Sequence, residues 1–272
     1  MQRVKTKRFG VGICLGFWIL ISICTPGASA SYISLDVTLS SKIEAHNLKV
    51  KVRAVNKGDE PAYNVLAELW ASGEKLLADR QDELKGYGAY RAEMAIPLSV
   101  ELPGTYPLIL LMHYTDGNGY PFSALTGQTF VYQREEVSPA FGWLKSSSFT
   151  EAGDVYLTLK NLGNRELNSK VYLVLPNELT VNENVVSVRL APASEQSVKF
   201  TVKNFSALPG SAYQALAVAE FEDQNIHFTG VSSGTIKILS SRGTIFGLPP
   251  TVVIAILTAL ILVLFAVQFK RQ

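Results

Sequence analysis

Between Ser31 and Ser240 the apolar positions recur with a period of two residues, and no segment sustains the 3.6-residue period of a helix. Residues 47–56 show this most plainly. Leu48, Val50, Val52 and Ala54 fall on one face and Lys49, Lys51 and Arg53 on the other, as in a strand with one side buried. The same pattern predicts strands over 32–39, 65–71, 75–78 and 89–98, and again over 155–160, 170–175, 185–190 and 197–202. Asn56-Lys-Gly-Asp59 reads as a turn in which glycine takes positive φ.

A fixed-offset echo divides this β region in two. Pro103-Gly-Thr-Tyr106 through Asp116-Gly-Asn118 returns as Pro209-Gly-Ser-Ala-Tyr213 through Asp223-Gln-Asn225, with ten positions from tyrosine to aspartate in both. Asn56-Lys-Gly58 answers to Asn161-Leu-Gly163, Leu84 to Leu190 and Met94 to Phe200, at offsets of 105 to 106. Repetition at this period means two copies of one unit, each near the common domain size of roughly 100 residues. Short strands separated by turn residues then predict two tandem immunoglobulin-like antiparallel sandwiches of about seven strands each. The expected boundaries are 31–135 and 149–240, joined by a linker over 136–148.

Within each copy the echoed stretch is expected as a hairpin. Tyr106, Leu108, Leu110, Met112 and Tyr114 form one face and correspond to Tyr213, Ala215, Ala217, Ala219 and Phe221, an apolar set directed at the core. The opposite face, Ile109, Leu111 and His113 against Leu216, Val218 and Glu220, is apolar at its start and polar toward the turn. In the linker, Phe141 and Trp143 are too apolar to be left in water and are expected to wedge between the domains; the alternative is a ligand-binding surface.

The ends are of another kind. Residues 1–30 combine a basic start, an apolar run from Phe9 to Cys24 and Ala28-Ser-Ala30, which is the pattern of a cleaved secretory signal; an uncleaved anchor is the alternative. Ile23 before Cys24 does not suit a lipoprotein signal. Residues 251–269 carry no charge over 19 positions, and at about 1.5 Å per residue they reach the roughly 30 Å of a bilayer core. Pro249 and Pro250 stop the helix from starting earlier, and Lys270-Arg271 place the tail 270–272 in the cytoplasm by the positive-inside rule. Residues 241–250 form a short tether. Leu248-Pro-Pro-Thr251 resembles a sortase signal, with Val252 where that motif has glycine.

Charge and cysteine narrow the function classes. The formal charge is +2 overall, but without Arg3, Lys5, Lys7 and Arg8 the balance becomes 21 basic against 23 acidic residues, so no basic surface for nucleic acid is implied. Both cysteines, Cys14 and Cys24, lie in the expected signal, which leaves the exported chain without disulfides, thiolate metal sites or a cysteine nucleophile and points to a bacterial source.

Val-Arg-Ala-Val-Asn-Lys-Gly-Asp-Glu-Pro-Ala at 52–62, Leu84 before a glycine-containing turn, and Pro103-Gly-Thr-Tyr106 together resemble the cell-adhesion-related domain of bacteria (CARDB) and the similar sandwich modules found beside glycosidase domains. The likeness spans roughly 32–132 and 148–239, and the second copy departs from it at Asn164-Arg-Glu166. It implies an immunoglobulin-like fold in modules that space, stack or dock other proteins.

Candidate chemistry is sparse. His46, His113 and His227 are separate in the sequence and are expected as exposed strand or turn residues. Asp116, Asn118, Asp223 and Asn225 have the look of an incomplete calcium loop, but are expected as turn residues because a bidentate glutamate is missing. Tyr87, Tyr90, Tyr120 and Phe122 offer aromatic surface for a sugar or, more simply, for packing. Asn204-Phe-Ser206 is a glycosylation sequon. No nucleophile, base and oxyanion donor can be assembled, so neither an enzyme nor a cofactor or metal is expected. The expectation is a single-span cytoplasmic-membrane protein with its domains on the extracytoplasmic side, working as an adhesive or scaffold on another envelope protein. Phe141, Trp143, Tyr120 and Phe122 are its candidate interaction residues, and the alternative is a carbohydrate-binding accessory module.

Overall fold

The computed structural model describes residues 32–240, 248 and 250–270; the expected signal and most of the tether lie outside the described residues. Within the described residues lie sixteen strands and one helix. The first repeat holds β1 (Leu35–Glu44), β2 (Asn47–Asn56), β3 (Ala62–Ala71), β4 (Glu74–Leu77), β5 (Gln81–Leu84), β6 (Ala89–Pro97), β7 (Gly104–Thr115) and β8 (Pro121–Tyr132). The second holds β9 (Ala140–Ser146), β10 (Ala152–Asn161), β11 (Leu167–Val174), β12 (Leu179–Val181), β13 (Val185–Leu190), β14 (Glu195–Asn204), β15 (Ala212–Asp223) and β16 (Ile226–Lys237). Helix α1 (Pro250–Lys270) closes the described chain.

Each repeat is an immunoglobulin-like sandwich. In the first, β1-β2-β6 faces a sheet in which β7 lies between β3 and β8, with β4 and β5 both paired to β3. In the second, β12-β14-β10-β9 faces β13-β11-β15-β16. The alternation in β2 buries Leu48, Val50, Val52 and Ala54 against Leu108, Leu110 and Met112 of β7, and Val155, Leu157 and Leu159 of β10 meet Ala215 and Ala217 of β15 in the same way.

The Asn-x-Gly turns do in both copies what their repetition implied, through a buried amide. Asn56 Oδ1 accepts the N–H of Gly58 at 3.0 Å and of Ser34 at 3.3 Å, while its Nδ2 donates to the Glu60 carbonyl at 2.6 Å. Asn161 repeats this, accepting from Gly163 N at 2.9 Å and donating to the carbonyls of Arg165 and Ala191 at 2.7 and 3.1 Å. Gly58 does not have positive φ, contrary to expectation. It is required for room, because a Cβ there would overlap the Tyr32 carbonyl. The Pro103-Gly-Thr-Tyr106 and Pro209-Gly-Ser-Ala-Tyr213 segments each end in a tyrosine tied to backbone just upstream: Tyr106 donates to Leu102 O at 2.8 Å, and Tyr213 accepts from Leu208 N at 3.0 Å.

The hairpin turns differ between the copies. Gln224 and Asn225 both have positive φ, a two-residue type I′ turn, whereas Gly117, Asn118 and Gly119 make a three-residue turn with only Gly119 left-handed. The stretch expected as a linker contains a strand: residues 140–146 form β9 and pair with β10 from Ala140 to Ser146. Gly142 and Leu144 turn inward there, so the inward and outward positions are both apolar and the alternation that marks a strand is hidden.

Helix α1, 21 residues long, is apolar and long enough to cross a membrane, and none of its window from Thr251 to Gln268 is buried within the protein. Thr258, a polar interruption, is satisfied internally by donating to the Ile254 carbonyl at 2.8 Å.

Candidate functional site

The two sandwiches meet face to face through the outer surfaces of their β7 and β15 sheets. Ile109 and Leu111 of β7, Leu125 of β8, Val174 of β11 and Leu216 and Val218 of β15 form a third buried cluster, flanked by Trp70, Tyr172 and Val231. Residues 108–112 are therefore buried on both faces of β7. Gly127 of β8 leaves space that Leu216 and Ile109 occupy. The result is a four-layer stack whose two inner layers are the β7 and β15 sheets.

Polar contacts close both flanks of this interface. On one, Gly104 and His227 form a parallel bridge between β7 and β16, and a Cβ on Gly104, whose φ is +139°, would overlap the His227 carbonyl. His227 Nδ1 donates to the Thr105 carbonyl at 2.8 Å, and its ring stacks on Tyr106 at 4.1 Å. Thr229 donates two further bonds to Thr105, from its hydroxyl to the carbonyl at 2.9 Å and from its N–H to the hydroxyl at 3.0 Å.

On the other flank Glu178, only 2% exposed, takes the backbone N–H of Ser123 at 2.8 Å and its hydroxyl at 2.5 Å. Next to it, Asn177 Nδ2 donates to His113 Nδ1 at 3.0 Å, and His113 Nε2 stands 2.8 Å from Glu68 Oε2. Burial by itself raises the Glu68 carboxyl, but the hydrogen bonds from Trp70 and His113 outweigh it and hold the group below its usual value. Tyr114 is pushed up to about 12, first by burial and then by the negative charge of Glu178. Burial, followed by Glu220, raises Tyr172 as well. His113 and His227 are thus interface residues and not exposed strand histidines; His46 is the one that sits exposed, in the β1–β2 turn.

The candidate interaction residues separate. Tyr120 donates to the Ser206 carbonyl across the interface at 2.5 Å and packs on Phe122, which in turn stacks on Tyr114. Tyr90 is buried and bonded to the Asp79 carbonyl, while Tyr87 is 75% exposed, so these four aromatics do not assemble into one platform. Phe141 and Trp143 do not wedge between the sandwiches. They lie side by side on the outer face of β9, ring centroids 5.7 Å apart, with Phe141 47% exposed. Opposite them on β10 are Lys160 and Thr158, followed by Tyr156 at 41% exposure. Asp116 is a turn residue, accepting the N–H groups of Asn118 and Tyr120 at 2.9 and 2.8 Å. Asp223 pairs with Arg165 at 3.5 Å. Among the described residues, no three His, Cys, Asp or Glu side chains converge as a metal site would need.

Beside the Glu178 flank a cleft of about 690 Å³ opens between the sandwiches. Its first wall is residues 32–37, which lead into and begin β1, its second is residues 122–126 of β8, and residues 208 and 211–214 with Pro176 and Glu178 close it from the second sandwich. Unbroken runs on both strands mean that backbone edges, and not one side-chain face, line it. In the second sandwich the equivalent seam is shut: Leu144 of β9 lies against Gly234 of β16, and Ser232 donates to the Gly142 carbonyl at 2.9 Å.

No family model matches the chain, and no curated protein matches it. Among solved structures it is similar to red sea bream transglutaminase at 12% identity and a TM-score of 0.28, over 86% of this chain and 34% of that one. It is similar also to native Escherichia coli alpha-2-macroglobulin at 13% identity and a TM-score of 0.31, over 76% and 17%. A protein of unknown function from Porphyromonas gingivalis W83 matches at 11% identity and 0.27, over 74% and 99%. The chain spans about a third of the transglutaminase and a sixth of the macroglobulin. Likenesses this distant bring neither substrate nor partner to it.

Proposed function

We propose that the chain is a single-span membrane protein whose two immunoglobulin-like sandwiches stand on the extracytoplasmic side of a bacterial cytoplasmic membrane as an adhesive or scaffolding unit. It works through contacts with another envelope protein, as the CARDB resemblance implies. The observation that carries this reading is the four-layer stack. Packing through the third cluster and its polar flanks fixes the two sandwiches relative to each other, so their remaining faces and edges are presented as one rigid body above helix α1. Preorganised surface of this kind favours protein contact, because little ordering is left to do on binding. Photo-cross-linking in intact cells, read by mass spectrometry, is expected to recover a specific envelope protein, and exchanging α1 for an unrelated apolar helix is expected to preserve most of that capture.

A second reading, a membrane-anchored carbohydrate-binding module, is favoured by the exposed Phe141 and Tyr156 and the partly exposed Trp143 on the outer face of β9 and β10, beside Lys160. A glycan array with the protein in detergent decides between the two. Tight binding of one defined glycan, lost in Trp143→Ala, together with no captured protein, favours the carbohydrate reading.

A further inference from the structure

The open seam of the first sandwich has the properties of a site for an added strand. Strand β1 ends its sheet, with β2 on one side and, among the described residues, nothing paired on the other. The Ser34 carbonyl accepts from Lys57 N at 2.6 Å, which makes Ser34 one of the residues bonded toward β2. The alternation of an antiparallel ladder therefore turns the N–H and C=O of Leu35 and Val37 away from β2 and into the cleft. The side chains of Leu35 and Val37 are only partly buried although they pack on the first core, because the seam beside them is open. Across the cleft, the edge of β8 is capped at Ser123 by Glu178, whereas β1 carries no such cap at Leu35 or Val37 among the described residues.

The lining is also one-signed. Asp36, Glu60, Asp116 and Glu178 line it, Glu178 with both oxygens taken by Ser123, and among the described residues no lysine, arginine or histidine does; Lys57 sits 3.7 Å from Asp36. Apolar surface from Leu35, Val37, Tyr114 and Phe122 makes the floor. A free backbone edge, an apolar floor and acidic walls together specify an occupant: an extended segment with apolar residues at alternate positions and basic residues at its ends.

We infer that the cleft between β1 and β8 binds such a basic-ended strand from a partner protein, added along the free edge of β1. This rests on the reading of the chain as a protein-contact scaffold and specifies where and how the contact is made. The seam of the second sandwich, closed by β9 on β16, is not available for the same purpose.

The test uses the full chain in detergent micelles and a fluorescent eight-residue peptide alternating valine and threonine, with lysine at both ends. The peptide is expected to bind and to slow amide exchange at residues 33–37. Val37→Pro removes one outward N–H without touching the β2 ladder and is expected to weaken binding about tenfold, the loss of roughly one hydrogen bond. The pair Asp36→Asn and Glu60→Gln, which leaves backbone and packing intact, is expected to weaken it severalfold and to flatten its salt dependence. No binding, protection away from β1, equal affinity for Val37→Pro, or equal affinity for a peptide ending in glutamates overturns the inference. Capture of an envelope partner in cells that Val37→Pro leaves unchanged overturns the cleft but keeps the scaffold reading, whereas absence of any captured partner in wild type overturns both.

Discussion

Asn56 and Asn161 show how much of each sandwich hangs on one side chain. Each amide is fully buried and holds together the end of one strand, the turn after it and backbone brought in from elsewhere in the chain. Replacing either by alanine strands several buried backbone groups at once, so Asn161→Ala is expected to lose roughly 2–4 kcal/mol of unfolding free energy by denaturant titration, well beyond an ordinary surface change. The glycines two residues on are unequal. A Cβ at position 58 meets the Tyr32 carbonyl, while at position 163 it meets only the tip of Asn161 and Pro139. Gly58→Ala is therefore expected to cost more than Gly163→Ala in the same measurement. The repeated Asn-x-Gly was visible in the sequence as a motif. That Gly58 answers to Tyr32, 26 residues earlier, was not, because such closeness exists only after folding.

At the scale of elements, period-two patterning located most strands, β2 in full, and failed where both faces are apolar. Residues 140–146 escaped because Leu144 faces the core while Phe141 and Trp143 face out, and the very short β12 is too brief to show a period. The interface left a clear trace that alternation alone does not interpret: Leu108 to Met112 is a continuous apolar run, which a strand covered on both sides requires. Leu216→Asp, placing a carboxylate between the sheets, is expected to destabilise by roughly 3–5 kcal/mol. Both tyrosines raised at this interface, Tyr114 to about 12 and Tyr172 upward, favour the neutral phenol in the folded state. Their contribution is complete below the ordinary tyrosine value of about 10 and is lost as pH rises through the folded values. Glu68 acts in the opposite direction, its contribution being present above the ordinary glutamate value of about 4.3 and lost as pH falls through its lowered value. The interface is thus expected to loosen at both extremes, with Tyr114→Phe flattening the alkaline limb of a pH–stability curve and Glu68→Gln the acid limb.

For the whole molecule, two sandwiches and a terminal apolar helix were legible from repetition and hydropathy, whereas their face-to-face docking and the unequal seams were not, since both depend on how one copy lies on the other. If residues 1–30 act as a secretory signal, N-terminal sequencing of the membrane-extracted protein should begin at Ser31; retention of Met1 contradicts that reading. The docking also has a mechanical consequence. Strand β16 leads toward the helix and at the same time carries His227 and Thr229, which grip the first sandwich at Thr105. A pull on the helix enters β16 at its Lys237 end, where it is paired with Ala212 of β15, and reaches the first sandwich only through the grip at the far end of the same strand; with the first sandwich held by a partner, one strand therefore carries the load between partner and helix.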